Sequence, residues 1–171
     1  CLIRASRGGN GFGYWLLKFD GVAGNKDKEL EDPKGYGAIE FAYSLMAKAA
    51  GVTMSECRLL EENGRRHFMS RRFAGHWSLA PAFDLTYSYN PAGIWTASHQ
   101  MTMNGKRDGF TFADFRACAK SALMKRGRAE AIVEEVRAAM AKWPDHAEQA
   151  QVMSDRRKQI QRSHRLELAR T

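Results

Sequence analysis

The sequence has little of what marks exported or membrane-spanning proteins. It contains three cysteines, Cys1, Cys57 and Cys118, an odd and widely spaced set that gives neither a disulfide framework nor a zinc site. No apolar run approaches the roughly 20 residues that a membrane span requires. No charged segment followed by an apolar one opens the sequence, so nothing indicates export. We therefore expect a soluble, cytoplasmic protein with no membrane partner.

Acidic residues are also scarce relative to basic ones. The 171 residues carry a formal net charge of +8, and the pI is near 9.6. An anionic partner is expected, which could be a nucleotide phosphate, a nucleic acid or an acidic protein face. Hydrophobic residues make up 44% of the chain, which is typical of a globular protein and excludes general disorder. The length predicts one domain or two small lobes.

The first fifty residues predict one strand and one helix. Cys1–Gly13 is rich in glycine and arginine and is interpreted as a loop, followed by an aromatic and apolar strand over Tyr14–Phe19. Gly24–Gly37 is charged and interrupted by glycine and proline, which predicts a surface loop. Apolar residues recur at helical spacing over Ala38–Ala50, and Gly51 lies where a C-terminal capping glycine belongs.

The middle of the chain predicts a β-hairpin and then irregular structure. Two strand-like runs, Cys57–Leu60 and Arg66–Met69, flank a turn that contains Asn63-Gly64, a strong hairpin signal. Trp77–Leu79 is a further short strand candidate. Tyr87–Met103 is predicted to be rich in loops.

The last third of the chain is predicted to be helical. Thr111 and Asp114 form a capping pattern for a helix over about Phe112–Lys125. A second helix is predicted over about Ala129–Lys142, with a proline two residues beyond it. A third, strongly basic helix is predicted over about Ser154–Ala169. Strands followed by helices indicate an α+β protein.

Two charged residues in apolar surroundings are candidates for a functional site. Lys18 lies inside an apolar strand, where a charge is costly unless it reaches an anion. It could hold nucleotide phosphates, as the strand lysine of protein kinases does, or be an edge-strand lysine that reaches into water. Glu40 could pair with Lys18 and orient it. Alternatively, an acid near the start of a helix could simply suit the helix dipole.

Asp84 is the third candidate. It is the single acid in the largely apolar segment Leu79–Leu85, so it needs a strong partner, such as a magnesium ion that bridges phosphates. The alternative is a capping or turn aspartate after a proline-containing loop. Strand lysine, helix glutamate, hairpin and loop aspartate follow one another as in the nucleotide site of a kinase. Met69–Phe73 would then lead to the hinge that meets the adenine.

Several phrases of the sequence, in the same order, resemble the HipA family of toxin–antitoxin serine/threonine kinases. The similarity runs from about Trp15 to the C-terminal helices. The phrases resemble the lysine strand, the following helix, the hinge strand, the magnesium-aspartate segment and a stretch beyond it: Trp15–Asp20, Ile39–Tyr43 with Met46–Gly51, His67–Phe73, Trp77–Thr86 and His99–Lys106.

The resemblance implies a protein-kinase-like fold of two lobes, with a strand-rich lobe over residues 1–73 and a mainly helical lobe over 74–171. It implies that ATP and Mg²⁺ bind between the lobes. The expected ligands are Asp84 for the metal and five residues for the nucleotide: Lys18, Glu40, Met69, Arg71 and Phe73. Family members phosphorylate serine or threonine on proteins, among them enzymes that charge tRNA. Their partner is a DNA-binding antitoxin, which places the complex on operator DNA.

The sequence departs from the family pattern at two places. Family members carry a glycine-rich, lysine-containing loop before the lysine strand, and here only Ser6–Gly9 corresponds to it. The hinge strand at Phe73 continues directly into Ala74, where the family has a long helical section with the catalytic base and a metal-binding asparagine. Either the gene encodes this section and the sequence lacks it, or the gene product itself is shortened. The catalytic residues are therefore not identifiable from the sequence.

Two alternatives to an active kinase follow. A truly shortened chain would be a catalytically inactive HipA-like fragment that acts as an interaction domain in the antitoxin–operator complex. The basic segment Asp155–Arg170 could instead make the protein a nucleic-acid-binding module, with affinity that falls steeply as salt rises.

Overall fold

Residues 2–6, 12–21, 34–72 and 79–169 are described by a computed structural model, with the backbone alone for residues 2–6, 12 and 13. The α+β class predicted from the sequence is confirmed. Within the described residues the chain forms four strands and five helices: β1 (Leu2–Ser6), β2 (Phe12–Lys18), α1 (Tyr36–Ala49), β3 (Cys57–Glu62), β4 (Arg65–Arg71), α2 (Phe112–Ser121), α3 (Arg128–Ala141), α4 (Trp143–Gln149) and α5 (Ser154–Ser163).

The four strands form one antiparallel sheet in the order β1-β2-β4-β3. Strand β1 corrects the loop predicted over Cys1–Gly13. It pairs with β2 from Leu2 opposite Leu16 to Ser6 opposite Phe12. A short edge strand has a weak local signal, because pairing and packing against its neighbours determine much of its preference for extended structure.

The predicted hairpin is confirmed. Asn63 and Gly64 form its turn with φ of 50° and 71°, the left-handed conformation that two-residue hairpin turns favour. Strand β4 then pairs with β2, which places Phe68 directly opposite Lys18. The sheet therefore connects the predicted lysine strand to the predicted hinge strand.

Helix α1 begins two residues earlier than predicted and packs on the sheet. The close approach occurs at Gly37, where an added Cβ would lie 2.0 Å from the backbone oxygen of Arg66. At the other end, Gly51 adopts φ of 81° just past the helix, as the sequence indicated. Of the predicted loop over Gly24–Gly37, residues 24–33 lie outside the described part of the chain.

The main buried cluster joins α1 to the C-terminal helices. The indole of Trp143 is fully buried, and its Nε1 donates to the backbone oxygen of Arg157 at 3.0 Å. The proposed division into two lobes at residue 73 stays a prediction. The buried members of this cluster are Ala38, Ile39, Ala42, Met46, Tyr87, Ala139, Trp143, Ala147, Ala150, Val152 and Ile160.

Two helix boundaries in the last third differ from the prediction, while α3 lies where it was expected. Helix α2 ends at Ser121 rather than Lys125, because Leu123 takes a left-handed turn with φ of 53°. Pro144 does not merely follow α3. It lies in the first turn of the separate helix α4, where a missing N–H costs nothing.

Helix α5 ends at Ser163, six residues before its predicted end. His164 is extended, with φ of −68° and ψ of 127°, and the chain beyond it stays irregular. The Nε2 of His164 lies 3.1 Å from the Tyr43 hydroxyl. The His164 ring packs edge-on against Trp143, with 5.5 Å between the ring centroids. These tertiary contacts replace the helical turns that the local sequence would support.

The segment between β4 and α2 contains neither helix nor strand in its described part. Trp77 and Ser78 of the predicted strand lie outside the described residues, and Leu79 is exposed and outside any strand. Tyr87–Met103 is irregular, as predicted. Among the helices of the described residues, none is long and apolar enough to cross a membrane.

The close approach of α1 to the sheet generates a prediction. Gly37→Ala should lower the free energy of unfolding by roughly 1–3 kcal/mol, because the new methyl group forces the helix away from β4. Urea unfolding measures the change. The control Lys48→Ala, at an exposed position of α1, should stay within about 0.5 kcal/mol of wild type. Equal stabilities of the two variants would contradict the close contact.

Candidate functional site

Three residues singled out from the sequence meet at the end of β2. The Lys18 ammonium donates to Glu40 Oε1 at 2.8 Å and also contacts a carboxylate oxygen of Asp84. Asp84 lies 66 positions along the chain from Lys18, so the tertiary fold brings these groups together. Lys18 and Asp84 are about half exposed, with side-chain exposures of 46% and 54%, whereas the Glu40 side chain is only 7% exposed.

Glu40 does not act as a helix-dipole partner. The first turn of α1 is fully described and contains no acidic residue, and Glu40 lies in the second turn. Its carboxylate is buried on the side of α1 that faces the end of β2. The structure therefore contains the ion pair of Glu40 with Lys18 and not the helix-dipole alternative.

Asp20 aligns the elements that carry Lys18 and Glu40, a role that the sequence analysis missed. Its carboxylate accepts the backbone N–H groups of Gly35 at 2.9 Å and Gly37 at 3.2 Å, and so caps the start of α1. Its own N–H donates to His67 Nδ1 at 2.8 Å, which ties it to β4. Asp20 is followed by glycine at the end of a strand, so in sequence it resembles an ordinary turn residue.

A short backbone bridge positions Asp84. Ala82, two residues earlier, donates its N–H to the Thr53 oxygen at 2.7 Å and accepts from the Ser55 N–H at 3.0 Å. Asp84 itself has φ of 60°, a left-handed conformation that aspartate tolerates better than most residues. This turn aims the carboxylate at Lys18.

The electrostatics of the cluster are those of one cation shared by two acids. Burial raises the pKa of Glu40 to about 7, and the attraction of Lys18 only partly opposes that effect. Partial burial lowers the pKa of Lys18, but its contacts with Asp84 and Glu40 outweigh burial and leave that pKa above its usual range. Asp84 is the carboxylate most open to a cation from solvent.

Two of the three residues expected to line an adenine pocket, Met69 and Arg71, lie on β4, the strand that pairs with the strand of Lys18. Met69 pairs with Leu17 and Arg71 with Trp15, so the side chains of Met69 and Arg71 lie on the opposite face of the sheet from Lys18. Arg71 also pairs with Glu56 at 3.3 Å. Phe73 lies outside the described residues. A role for these three residues in nucleotide binding stays a prediction.

The acidic residues of this cluster are better suited to a metal ion that binds together with a nucleotide than to a metal ion held by the protein alone. In the described part of the chain, no group of three or more histidine, cysteine or acidic side chains could hold a metal ion. Mg²⁺ in nucleotide sites is commonly held by one or two carboxylates together with phosphates and waters. The exposed Asp84 carboxylate meets that requirement.

A second buried acid, Asp114, gives the stretch His99–Lys106 a structural role. Asn104 and Gly105 form a left-handed turn, which aims Asn104 Nδ2 and Lys106 Nζ at the Asp114 carboxylate, at 2.8 and 2.7 Å. Asp114 also accepts the Thr111 N–H at 2.8 Å, which is its half of the predicted capping box. These contacts lower the pKa of Asp114, with Lys106 the largest cause. The stretch His99–Lys106 therefore anchors α2 through Asp114.

Comparison with known families matches the HipA-like C-terminal domain over residues 2–75 and 74–143. The two matches together cover most of the chain. The chain belongs to the HipA-like C-terminal domain family. No curated protein and no solved structure matches the chain significantly.

The HipA-like match consists of two segments that overlap at residues 74–75, next to the Phe73–Ala74 junction where the sequence was expected to depart from the family pattern. The absence of a helical section at this junction stays a prediction. The two segments together contain Lys18, Glu40 and Asp84.

The raised pKa of Glu40 predicts a pH-dependent stability. An acid whose folded pKa lies above its unfolded value stabilises the fold most when protonated, so this contribution is lost as the pH rises from about 4.5 to about 7. Glu40→Gln should therefore remove a stability loss on the order of 1–3 kcal/mol between pH 5 and pH 8. Urea unfolding of both proteins at the two pH values measures it. If the free energies of unfolding of the two proteins change by the same amount between pH 5 and pH 8, the raised pKa of Glu40 is disproved.

Asp114 should make the stability of the protein depend on pH in the opposite direction. Its folded pKa is lowered, so its contribution is present above the usual aspartate pKa of about 4 and is lost as the pH falls below it. Asp114→Asn should lower the melting temperature at pH 7 and flatten the acid limb of the stability profile. Asp145→Asn, at an exposed site, serves as the control. An unchanged acid limb in Asp114→Asn would refute this role.

Proposed function

We propose that this HipA-like domain binds Mg²⁺·ATP at the Lys18–Glu40–Asp84 cluster and forms the nucleotide site of a serine/threonine protein kinase. The observation that carries the proposal is the convergence of three distant residues on one ammonium group. A strand lysine paired with a helix glutamate beside a loop aspartate is the arrangement that protein kinases use for phosphates and metal.

Each residue has a distinct role in this proposal. Lys18 contacts the nucleotide phosphates, and Glu40 keeps the Lys18 ammonium in place from its buried position. Asp84 provides the protein ligand for the metal, which neutralises phosphate charge when it is bound. Since Lys18 contacts Asp84 directly, it must release that carboxylate before a cation can take its place.

Phosphoryl transfer needs a residue that positions the attacking hydroxyl, and we assign none. By the resemblance to the HipA family, this residue belongs to the helical section that is expected after Phe73 and is absent from the sequence. Transfer of the γ-phosphate to a protein serine or threonine, with a tRNA-charging enzyme as one target class, therefore belongs to the complete kinase. A DNA-binding antitoxin and, through it, operator DNA are the proposed partners.

The predicted absence of the catalytic section favours a second candidate. A chain that keeps the lysine strand and the C-terminal helices but lacks the catalytic section could serve as an inactive interaction domain in the antitoxin–operator complex. A basic nucleic-acid-binding module is less favoured. Arg156 of α5 stacks over Tyr36 and Tyr87, Arg157 donates to the Val152 oxygen, and both are thus engaged within the protein.

The metal role of Asp84 generates a prediction. Asp84→Asn should weaken Mg²⁺-dependent ATP binding at least about tenfold, because the only proposed protein ligand to the metal loses its charge. Thermal shift titrations with ATP, in the presence and absence of Mg²⁺, measure the affinity. Mg²⁺ alone should shift neither protein, since a single carboxylate does not hold it.

The matched control is Asp145→Asn, which should bind like wild type. Wild-type affinity of Asp84→Asn would remove Asp84 from the mechanism. If the wild-type protein binds no nucleotide at all, the inactive interaction domain becomes the better account. If the wild-type protein does bind ATP, an assay for the transfer of labelled γ-phosphate to protein distinguishes an active kinase from a nucleotide-binding domain without activity.

A further inference from the structure

The outer edge of β3 is open in the described part of the protein. Among the described strands, only β4 pairs with β3, and the sheet ends there. The Arg71 N–H donates to the Glu56 oxygen at 2.8 Å, so the even-numbered residues of β3 direct their backbone groups towards β4. The odd-numbered residues, including Leu59 and Glu61, direct theirs outwards. Neither of these two has an outward backbone partner among the described residues.

The chain just before β3 shows that this edge accepts a further segment. The Ser55 N–H donates to the Ala82 oxygen at 3.0 Å, and the Ala82 N–H donates to the Thr53 oxygen at 2.7 Å. Thr53 and Ser55 are also odd-numbered, so Ala82 lies on the same outer edge. Beyond Ala82, the described residues leave the edge uncovered. An open strand edge is a template for pairing with another chain.

The side chains on one face of β3 are complementary to themselves. Arg58, Leu60 and Glu62 alternate with the intervening residues and therefore share a face of the sheet, and all three are exposed. A second copy of β3 can run antiparallel to the first with Leu60 opposite Leu60. Arg58 of each copy then lies opposite Glu62 of the other. Opposite charges and matched apolar side chains directly across an antiparallel pair stabilise it.

The backbone groups support the same register. With Leu60 opposite Leu60, Leu59 lies opposite Glu61 of the second copy, and these are the residues whose N–H and C=O groups point outwards. Leu60 then meets its copy in a non-hydrogen-bonded pair, where side chains approach most closely. A shift of two residues one way places Glu56 opposite Glu62, and a shift the other way places Leu60 opposite Glu62. Neither shifted register pairs the charges.

Both charged side chains are available to a second copy. Arg58 lies over the Trp15 ring at 5.0 Å, and its Nε donates to Glu56 at 3.0 Å, so it is held on this face of the sheet. A guanidinium group has five N–H donors, which leaves some for a further carboxylate. Glu62 lies 3.9 Å from the Nε2 of His67, at the outer limit of an ion pair.

We propose that the outer edge of β3 pairs with the β3 edge of a second copy of this chain, antiparallel, about a two-fold axis at Leu60. The two four-stranded sheets then form one continuous sheet. The reciprocal pairs between Arg58 and Glu62 fix the register. The inference depends on β3 alone, so it holds whether or not Lys18 and Asp84 bind nucleotide.

The dimer should be weak, because one pair of strands buries less surface than a standard stable interface. Sedimentation equilibrium of the full chain should show a monomer–dimer equilibrium with a Kd on the order of 100 µM. A protein that stays monomeric at about 1 mM would overturn the proposal. Species larger than a dimer would do the same, since a two-fold pair of β3 edges is closed.

An exchange of charges tests the register. Arg58→Glu and Glu62→Arg each place like charges opposite each other, so each variant alone should dimerise at least about tenfold more weakly than wild type. An equimolar mixture of the two should associate again, and so should the double variant. Lys120→Glu, at an exposed position of α2, changes the net charge as Arg58→Glu does and should dimerise like wild type. Circular dichroism checks that each variant is folded.

Failure of both the mixture and the double variant to associate would overturn the register. If a single variant does not fold, disulfide trapping still decides the question. Leu60→Cys, with Cys1→Ser and Cys118→Ser, should form a covalent dimer under mild oxidation, because Cα atoms of a non-hydrogen-bonded pair are about 4.5 Å apart. Glu61→Cys in the same background should not, since its side chain lies on the other face. Equal trapping at both positions would contradict the proposed pairing.

Discussion

The hydrogen bonds of Asp20 hold together the parts of the protein on which the candidate site depends. Its carboxylate caps the start of α1, its N–H reaches His67 on β4, and it follows the strand that carries Lys18 by two residues. Asp20 therefore helps to fix the distance between Lys18 and Glu40 by holding α1 against the strands. Because α1 also presses Gly37 onto β4, its orientation on the sheet has little freedom.

The site that results is electrostatically unbalanced. One ammonium group serves two carboxylates, of which one is buried and the other is open to solvent. The buried acid responds to its environment by a raised pKa, so its charge near neutral pH depends on Lys18 staying close. The open acid is free to exchange partners. In the proposed nucleotide site, an incoming cation and phosphate would redistribute the contacts of Lys18.

Two regions of the described chain differ in how completely they are packed. Around α1, α4 and α5, a continuous cluster buries Trp143 and Ile160 fully. Between α3 and residues 86–110 there is an apolar cavity instead. Asp114 still anchors α2 beside this gap through Asn104 and Lys106.

Local sequence alone determined the features whose energy comes from neighbouring residues: the Asn63-Gly64 hairpin, the helix over Arg128–Ala141, and the candidacy of Lys18, Glu40 and Asp84 as charges in apolar surroundings. Only the tertiary structure decided that Leu2–Ser6 forms a strand, that the last helix stops at His164, and that Asp20 caps a helix 15 residues away. The physical reason is the same in each case. A strand partner, a ring packed against Trp143 and a distant backbone N–H contribute their free energy through contacts that no window of adjacent residues contains.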